Sequence, residues 1–341
     1  MPALALPSTL QVLMRSPLLL AGALGSFAFA TGCVAPPDDR ADHALPEATS
    51  TTATAVVVVE RTSGPGDATA IPRDAVIARF VRVRQGAVDD QALRIAGIAG
   101  ALGTERDLPA LGTCSTAAPE PSPAAQPRSV ELLDVGVLTV EAQSARQSAA
   151  PSAPPSAQSA SNPTKSTVLL PRTMPDPTGV VSGVFYSGRS ADSAGVFVPA
   201  ARLQLHTSGG PDMPEGFRVD VASPRDMTDV QVSESNAGLD IDWSVGDSAD
   251  GRDIVYVDVL TRPSARLVTR CTTLDVGHFV VPSSALAGLG DQGQGPRLGT
   301  SDEGQVAVHR LHRESFKAKG IEPGEIRFDV ARVVTFRANA R

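Results

Sequence analysis

Short runs of alternating apolar and polar residues, each closed by Gly, Pro, Asp or Ser, dominate this chain and confine it to a β architecture. After residue 165 they follow one another closely: 167–170 (TVLL), 180–186 (VVSGVFY), 202–207 (RLQLHT), 217–221 (FRVDV), 229–233 (DVQVS), 239–243 (LDIDW) and 254–260 (IVYVDVL). The series continues with 266–273 (RLVTRCTT), 278–281 (HFVV), 305–311 (QVAVHRL) and 325–336 (EIRFDVARVVTF). Many short strands with such punctuation imply a mainly antiparallel β-sandwich or a pair of them. The faces are self-consistent. Leu239, Ile241 and Trp243 share one, with Asp240 and Asp242 opposite. Ile326, Phe328, Val330, Val334 and Phe336 share another, with Arg327, Asp329 and Arg337 expected on the solvent side. Burying each such apolar side chain contributes about 2 kcal/mol, which makes the last strand core rather than tail.

The first half is sparser. VVVVE at 56–60 offers a first strand, followed by the turn-rich TSGPGD. Residues 75–84 (AVIARFVRVR) set Val76, Ala78, Phe80 and Val83 against Arg79, Arg82 and Arg84, a strand with room for a bulge. Asp89 or Asp90 can cap a helix over 90–102, where Ile95, Ile98, Ala99 and Leu102 fall on one face. Residues 130–141 read as strand, turn and strand. The stretch 142–164 has no Leu, Ile, Val or aromatic and a single charge, Arg146. It reads as a disordered loop insertion, because the piece before it is too small to hold a core alone.

The N-terminal segment is of another kind. Residues 17–30 (PLLLAGALGSFAFA) are uncharged and too short for a bilayer, which needs about 20 apolar residues. They have the length of a signal-peptide core. Residues 1–13 carry no positive charge, whereas Met14-Arg15 makes a compact n-region, so Met14 is the expected start. Ala30-Thr31-Gly32-Cys33 resembles the lipobox of bacterial lipoproteins, with Ala30 where leucine is commoner. That resemblance implies cleavage before Cys33 and a diacylglycerol on its thiol. Val34 follows the cysteine, and by resemblance to lipoprotein sorting this implies outer-membrane delivery.

Composition excludes little but usefully. Hydrophobic residues make up 42% and charged ones 20%, so the chain is not disordered as a whole. The net charge of −7 argues against a nucleic-acid partner. From 239 to 286 the order LDIDWSVGD, DIVYVDV and LVTRCTTLDVGHFVVPSSAL resembles the Ig-like sandwich domain of uncharacterised envelope lipoproteins of GC-rich Gram-negative bacteria. The resemblance implies a fold and a cell-surface setting and transfers no catalytic residue. The expected fold is mainly β: a tandem antiparallel β-sandwich, Ig-like in its C-terminal part, with one short helix, after a signal peptide and flexible stalk. The expected divisions are a signal peptide at 1–32 and a lipidated stalk at 33–70. A β-rich domain at 71–222, carrying the 142–164 insertion, and an Ig-like sandwich at 223–341 follow.

Cys114 and Cys271 remain once Cys33 is assigned to lipid. A bridge would close a loop of about 156 residues, worth roughly 4–5 kcal/mol by loop entropy. Two separate buried thiols fit the sequence equally well. Tests for chemistry give no nominee. Gly288-Leu-Gly290-Asp-Gln-Gly293 matches a dinucleotide fingerprint but lacks its strand-then-helix context. His309 and His312, three apart on a strand, should face opposite ways and share no metal. The acidic loop Asp247, Asp250 and Asp253, with Asp240 and Asp242 near in sequence, lacks calcium-loop spacing and reads as a solvated turn. His309, Arg310, His312, Arg313, Lys317 and Lys319 form a basic run interrupted by Glu314, read as ordinary solvated charge. No catalytic, cofactor or metal residue is assigned. The expectation is a lipid-anchored envelope module that binds a partner protein or polysaccharide or serves structurally. The competing class is an envelope hydrolase acting on polysaccharide or peptide.

Overall fold

The computed structural model describes residues 53–64, 72–83, 108–116, 130–143, 165–173, 181–189, 197–247, 253–261, 266–289 and 303–337. All belong to one compact unit, Thr49–Arg341. The strands in chain order begin with β1 (Ala53–Ser63), β2 (Arg73–Val83), β3 (Thr113–Ser115), β4 (Val130–Leu132), β5 (Leu138–Gln143) and β6 (Lys165–Leu169). Next come β7 (Arg172–Thr173), β8 (Val181–Arg189), β9 (Arg202–Thr207), β10 (Phe217–Ala222), β11 (Gln231–Glu234) and β12 (Gly238–Asp242). The last are β13 (Ile254–Thr261), β14 (Leu267–Leu274), β15 (His278–Pro282), β16 (Glu303–Ala318) and β17 (Ile321–Arg337). A 3₁₀ turn, Ser283–Leu289, follows β15. The expected helix at 90–102 lies outside the described residues, as does the insertion beyond Gln143 up to residue 164. Ala142 and Lys165 are register partners, so the insertion connects the two arms of the β5–β6 hairpin.

The architecture is mainly β, in three sheets. Ten strands run in the order β3-β14-β13-β16-β17-β1-β2-β4-β8-β7; β10-β9-β5-β6 form a second sheet and β11-β12-β15 a third. One face of the large sheet and one face of each small sheet share a single apolar cluster. Val57 and Val59, Phe80, Val257, Val308 and Phe328 contribute from the first. Leu138, Leu203 and Leu205 come from the second, and Leu239, Ile241, Trp243 and Val281 from the third. Alternation produces this directly: within each strand every second side chain points inward and the residues between point away.

Two expectations change. The stalk assigned to 33–70 contains β1, whose Val57 and Val59 are fully buried between β17 and β2. Its partner β17 runs parallel to it, with Ala53 opposite Ile321 and Ser63 opposite Arg332. The boundary at 222/223 therefore does not divide the core, since strands from both sides of it are joined in one sheet. Pairing over so long a separation leaves no local pattern, whereas alternation reports only which face a residue occupies. β2 also runs without a register break, and Val83 joins Val81 on the outer face.

The outer face of the large sheet is itself covered. Val56, Val58, Val81, Val83, Val130 and Leu132 form a second apolar cluster there. Leu108 packs on Tyr256 and Leu311 in a third. Arg327 and Asp329, expected in solvent, are 4% and 7% exposed. The spine of the large sheet is the β16–β17 hairpin, where on the inner face Gly324 lies under the ring of its register partner Phe316 and a Cβ would sit 2.4 Å from a ring carbon. Placing a charge within β1 should be ruinous. Val57→Asp, which buries a carboxylate with no partner, should yield no cooperatively folded protein by far-UV circular dichroism and thermal melting, whereas an unstructured stalk would tolerate it.

Candidate functional site

Two polar clusters stand out, one on each face of the β16–β17 hairpin. The inner one lies where the covering layer passes from the second sheet to the third. Among the described residues no strand crosses that seam; the loop after β10 does, and it turns backbone carbonyls toward the core. Arg310, 1% exposed, satisfies them: Nη1 donates to the carbonyls of Arg225 (3.5 Å) and Asp226 (3.3 Å), while Nη2 donates to the carbonyl of Ser244, in the segment after β12. Its Nε donates to Asp275 Oδ2 at 2.8 Å. The same carboxylate accepts the Trp243 indole N–H at 2.7 Å and the Gly246 amide at 2.8 Å. In the same cross-strand row, Arg61 of β1 pairs with Asp226 and with Asp74 of β2. Burial pushes the Asp74 carboxyl upward, against the Phe197 amide and Arg61 that favour its charge. Every member is committed to a protein partner, so this cluster holds the seam rather than a ligand.

The outer cluster is built from polar positions on several adjacent strands. Tyr256 of β13 donates its phenol to Asp329 Oδ2 of β17 at 2.7 Å. His309 of β16 sets Nδ1 at 3.0 Å from Asp329 Oδ1, and its ring stacks on Tyr256 with centroids 4.2 Å apart. Arg270 of β14 holds Asp258 through two 2.7 Å bonds and lies over the Tyr256 ring. Glu60 of β1 is the register partner of Asp329. Burial first, then the charge of Asp329, raises the Glu60 carboxyl, with His309 and Arg189 opposing. Tyr256 is held well above the usual phenol range, chiefly by burial and then by Asp329. For His309, burial disfavours the imidazolium, but the charge and hydrogen bond of Asp329, aided by Asp258, outweigh it and the net direction is upward.

This arrangement can orient an imidazole. A carboxylate on Nδ1 fixes the ring and leaves Nε2 for proton transfer, as in a general base. His312 forms a second such pair, with Asp253 Oδ1 2.7 Å from Nδ1, but its Nε2 is taken by Glu314 at 3.2 Å. No Ser, Thr or Cys among the described residues hydrogen-bonds to either imidazole. A surface depression of about 210 Å³, lined by Asp212–Gly216, Lys319 and Gly320, lies apart from both clusters and falls short of the ~300 Å³ of small ligand pockets.

The other sequence nominees separate. Cys114 and Cys271 stand directly opposite each other on β3 and β14 and are bridged, with Cα atoms 4.0 Å apart. His309 and His312 face opposite sides of β16, as their spacing requires. Asp247 pairs with Arg225, Asp253 with His312 and Asp242 with His278, so these carboxylates diverge; Asp250 lies outside the described residues. The basic run is split between faces and partners: Lys317 pairs with Glu322, Lys319 with Glu215 and Arg313 with Glu325. Among the described residues no group of three His, Cys, Asp or Glu is arranged to hold a metal ion. Cys33 and residues 290–293 of the glycine motif also lie outside them. The outer cluster escaped sequence reading because its members are far apart in the chain. Its signal was a charged residue in phase with the outer face of otherwise apolar strands, at Glu60, Asp258, Arg270 and Asp329. No known family and no curated protein matches this chain.

Two outcomes test these clusters. Trp243→Ala removes a buried ring and leaves an Asp275 oxygen without its indole donor. It should cost about 3–5 kcal/mol in denaturant unfolding, while Asp242→Ala, on the exposed side, should stay within about 0.5 kcal/mol. Both histidines have raised folded pKa values, so the folded state binds their protons more tightly than the unfolded chain. Their stabilisation is full below about pH 6.5 and is lost as pH rises through the folded values. Melting temperature should fall from pH 6 toward pH 8.5, and His309→Gln with His312→Gln should flatten that slope.

Proposed function

We propose that the protein is a binding or structural module of the bacterial cell envelope, held at the outer membrane by a diacylglycerol on Cys33. The observation that carries this reading is the apolar run 17–30 ending in Ala30-Thr31-Gly32-Cys33, placed about 20 residues before β1. A chain of that length can reach at most about 70 Å, which would tether the body to the lipid surface. The body supports the module reading through its pairing: the described buried charges bind one another and backbone carbonyls. Its partner would be another envelope protein or a polysaccharide. No helix among the described residues is long and apolar enough to cross a membrane. Fractionation tests the anchor: Cys33→Ser should move the protein from the membrane to the soluble fraction. Retention of that variant on the membrane after a high-salt wash would remove the basis of the proposal.

The His309–Asp329 pair favours a second reading, an envelope hydrolase in which His309 acts as general base on polysaccharide or peptide. Under that reading His309→Ala abolishes hydrolysis of envelope glycan or peptide and leaves partner binding intact. Under the module reading no hydrolysis by the wild-type protein is detected.

A further inference from the structure

The outer face of the large sheet carries an apolar patch that the sheet itself cannot bury. Val56 and Val58 of β1, Val81 and Val83 of β2, and Val130 and Leu132 of β4 are each at most 4% exposed. The other apolar side chains packed on them, Ile77 and Val181, belong to β2 and β8 of the same sheet. Side chains stand roughly perpendicular to a sheet, so strand neighbours shield their flanks and leave their ends open. Burial this deep needs atoms above the face. Among the described residues no apolar side chain from outside the large sheet joins the patch. The run Val56 to Val59 is what a strand covered on both faces requires, since alternate valines point to opposite sides and all four are buried.

A second observation concerns where the chain leaves and rejoins this face. Residues 84–107 depart from Val83, itself a member of the patch, and end at Leu108, which packs on Tyr256 and Leu311 of the same outer face. The inner face is filled by the small sheets. Through the pairs Thr54–Val81, Glu60–Asp329 and Leu311–Asp329, the two ends are about eight residues apart along the strands and three to four strands apart across them, or about 30 Å. Within the stretch, Ile95, Ile98, Ala99 and Leu102 recur at the spacing of one helix face, after a capping Asp89 or Asp90, and Asp90, Gly97 and Ala101 fall on the other side. A helix over 90–102 is about 20 Å long, and the six residues before it and five after it make up the rest with slack. Residues 117–129, which run into Val130, hold four prolines and no Leu, Ile, Val, Met or aromatic residue.

We propose that residues 90–102 form an amphipathic helix that docks on the outer valine face of the large sheet, with Ile95, Ile98 and Leu102 set down on the side chains of β1, β2 and β4. The occupant is this segment because its chain begins and ends on the face, its apolar stripe matches an apolar surface, and its length fits the distance to be crossed. The large sheet is then packed on both sides, by two small sheets within and a helix without. The valine face belongs to the interior and is withdrawn from the surfaces a partner can use. The proposal goes beyond the module reading and is independent of the anchor and of any hydrolysis.

The test uses the full chain with Cys33→Ser, in which Cys114 and Cys271 are bridged and an introduced cysteine is the free thiol. The thiol of Val58→Cys should react with a maleimide at least a hundredfold more slowly in the native protein than in denaturant. Adding Ile98→Asp should speed the native reaction at least tenfold while far-UV dichroism and Trp243 emission stay native. Adding Gly97→Lys, on the far side of the helix, should leave it unchanged. On oxidation, Val58→Cys should cross-link to at least one of Ile95→Cys, Ile98→Cys and Leu102→Cys, and to neither Gly97→Cys nor Ala101→Cys. A Val58→Cys thiol that reacts freely in the native chain, one that stays protected beside a natively folded Ile98→Asp, or one freed equally by Gly97→Lys would overturn the proposal. Should Ile98→Asp fail to fold, the cross-links decide: none at the three stripe positions, or equal yield at Gly97→Cys, would overturn it too.

Discussion

The parallel pairing of β1 with β17 is the constraint on which the body depends. It brings the first described strand to the middle of a ten-stranded sheet, against the last. Without it the sheet would end on one side at β17 and on the other at β1, and the row from Arg310 through Val330 to Arg61 would be cut. Because the two strands are separated by almost the whole chain, their contact carries a large loop-closure cost until the rest has assembled. The sheet thus gains its final cohesion late, and the long β16–β17 hairpin, whose contact is local, is the natural platform for β1.

A large sheet covered by two small ones must solve the seam between them. Apolar packing cannot, because the loop crossing the seam brings carbonyls with no strand partner, and each left dry would cost about 1–3 kcal/mol. Arg310 answers with a guanidinium whose donors fan out over that loop and the segment after β12, and Asp275 completes its charge balance while holding Trp243. The single tryptophan therefore reports on the seam as much as on the third sheet. Replacing this cluster wholesale by apolar side chains is not open to the fold, since the carbonyls belong to the backbone.

Much of the β architecture was legible because alternation is a local signal. The strand expected at 202–207 is β9 to the residue, and Leu239, Ile241 and Trp243 are buried as their phase requires. What alternation does not carry is neighbourhood. The strand expected at 56–60 lies within β1, but the division at residue 70 left it in the stalk because its partner lies at the other end of the chain. Arg327 and Asp329 were placed in solvent because polar phase normally means water; here the outer face is covered and the polar residues bind one another. The same long separation kept the cysteine bridge undecided between two readings, since only strand order sets Cys114 opposite Cys271. His309 could be assigned a face but not its carboxylate, which lies across the hairpin.

The placement of β1 also decides how the body responds to being pulled. A load entering at residue 53 runs along the axis of a strand bonded on both sides, to β17 and to β2, over most of its eleven residues. Such a load shears all those bonds together instead of opening them one after another. Traction from the N-terminal side is therefore met by the best-seated strand of the protein, and weaker elements such as the two-residue β7 or the three-residue β3 are off the line of force.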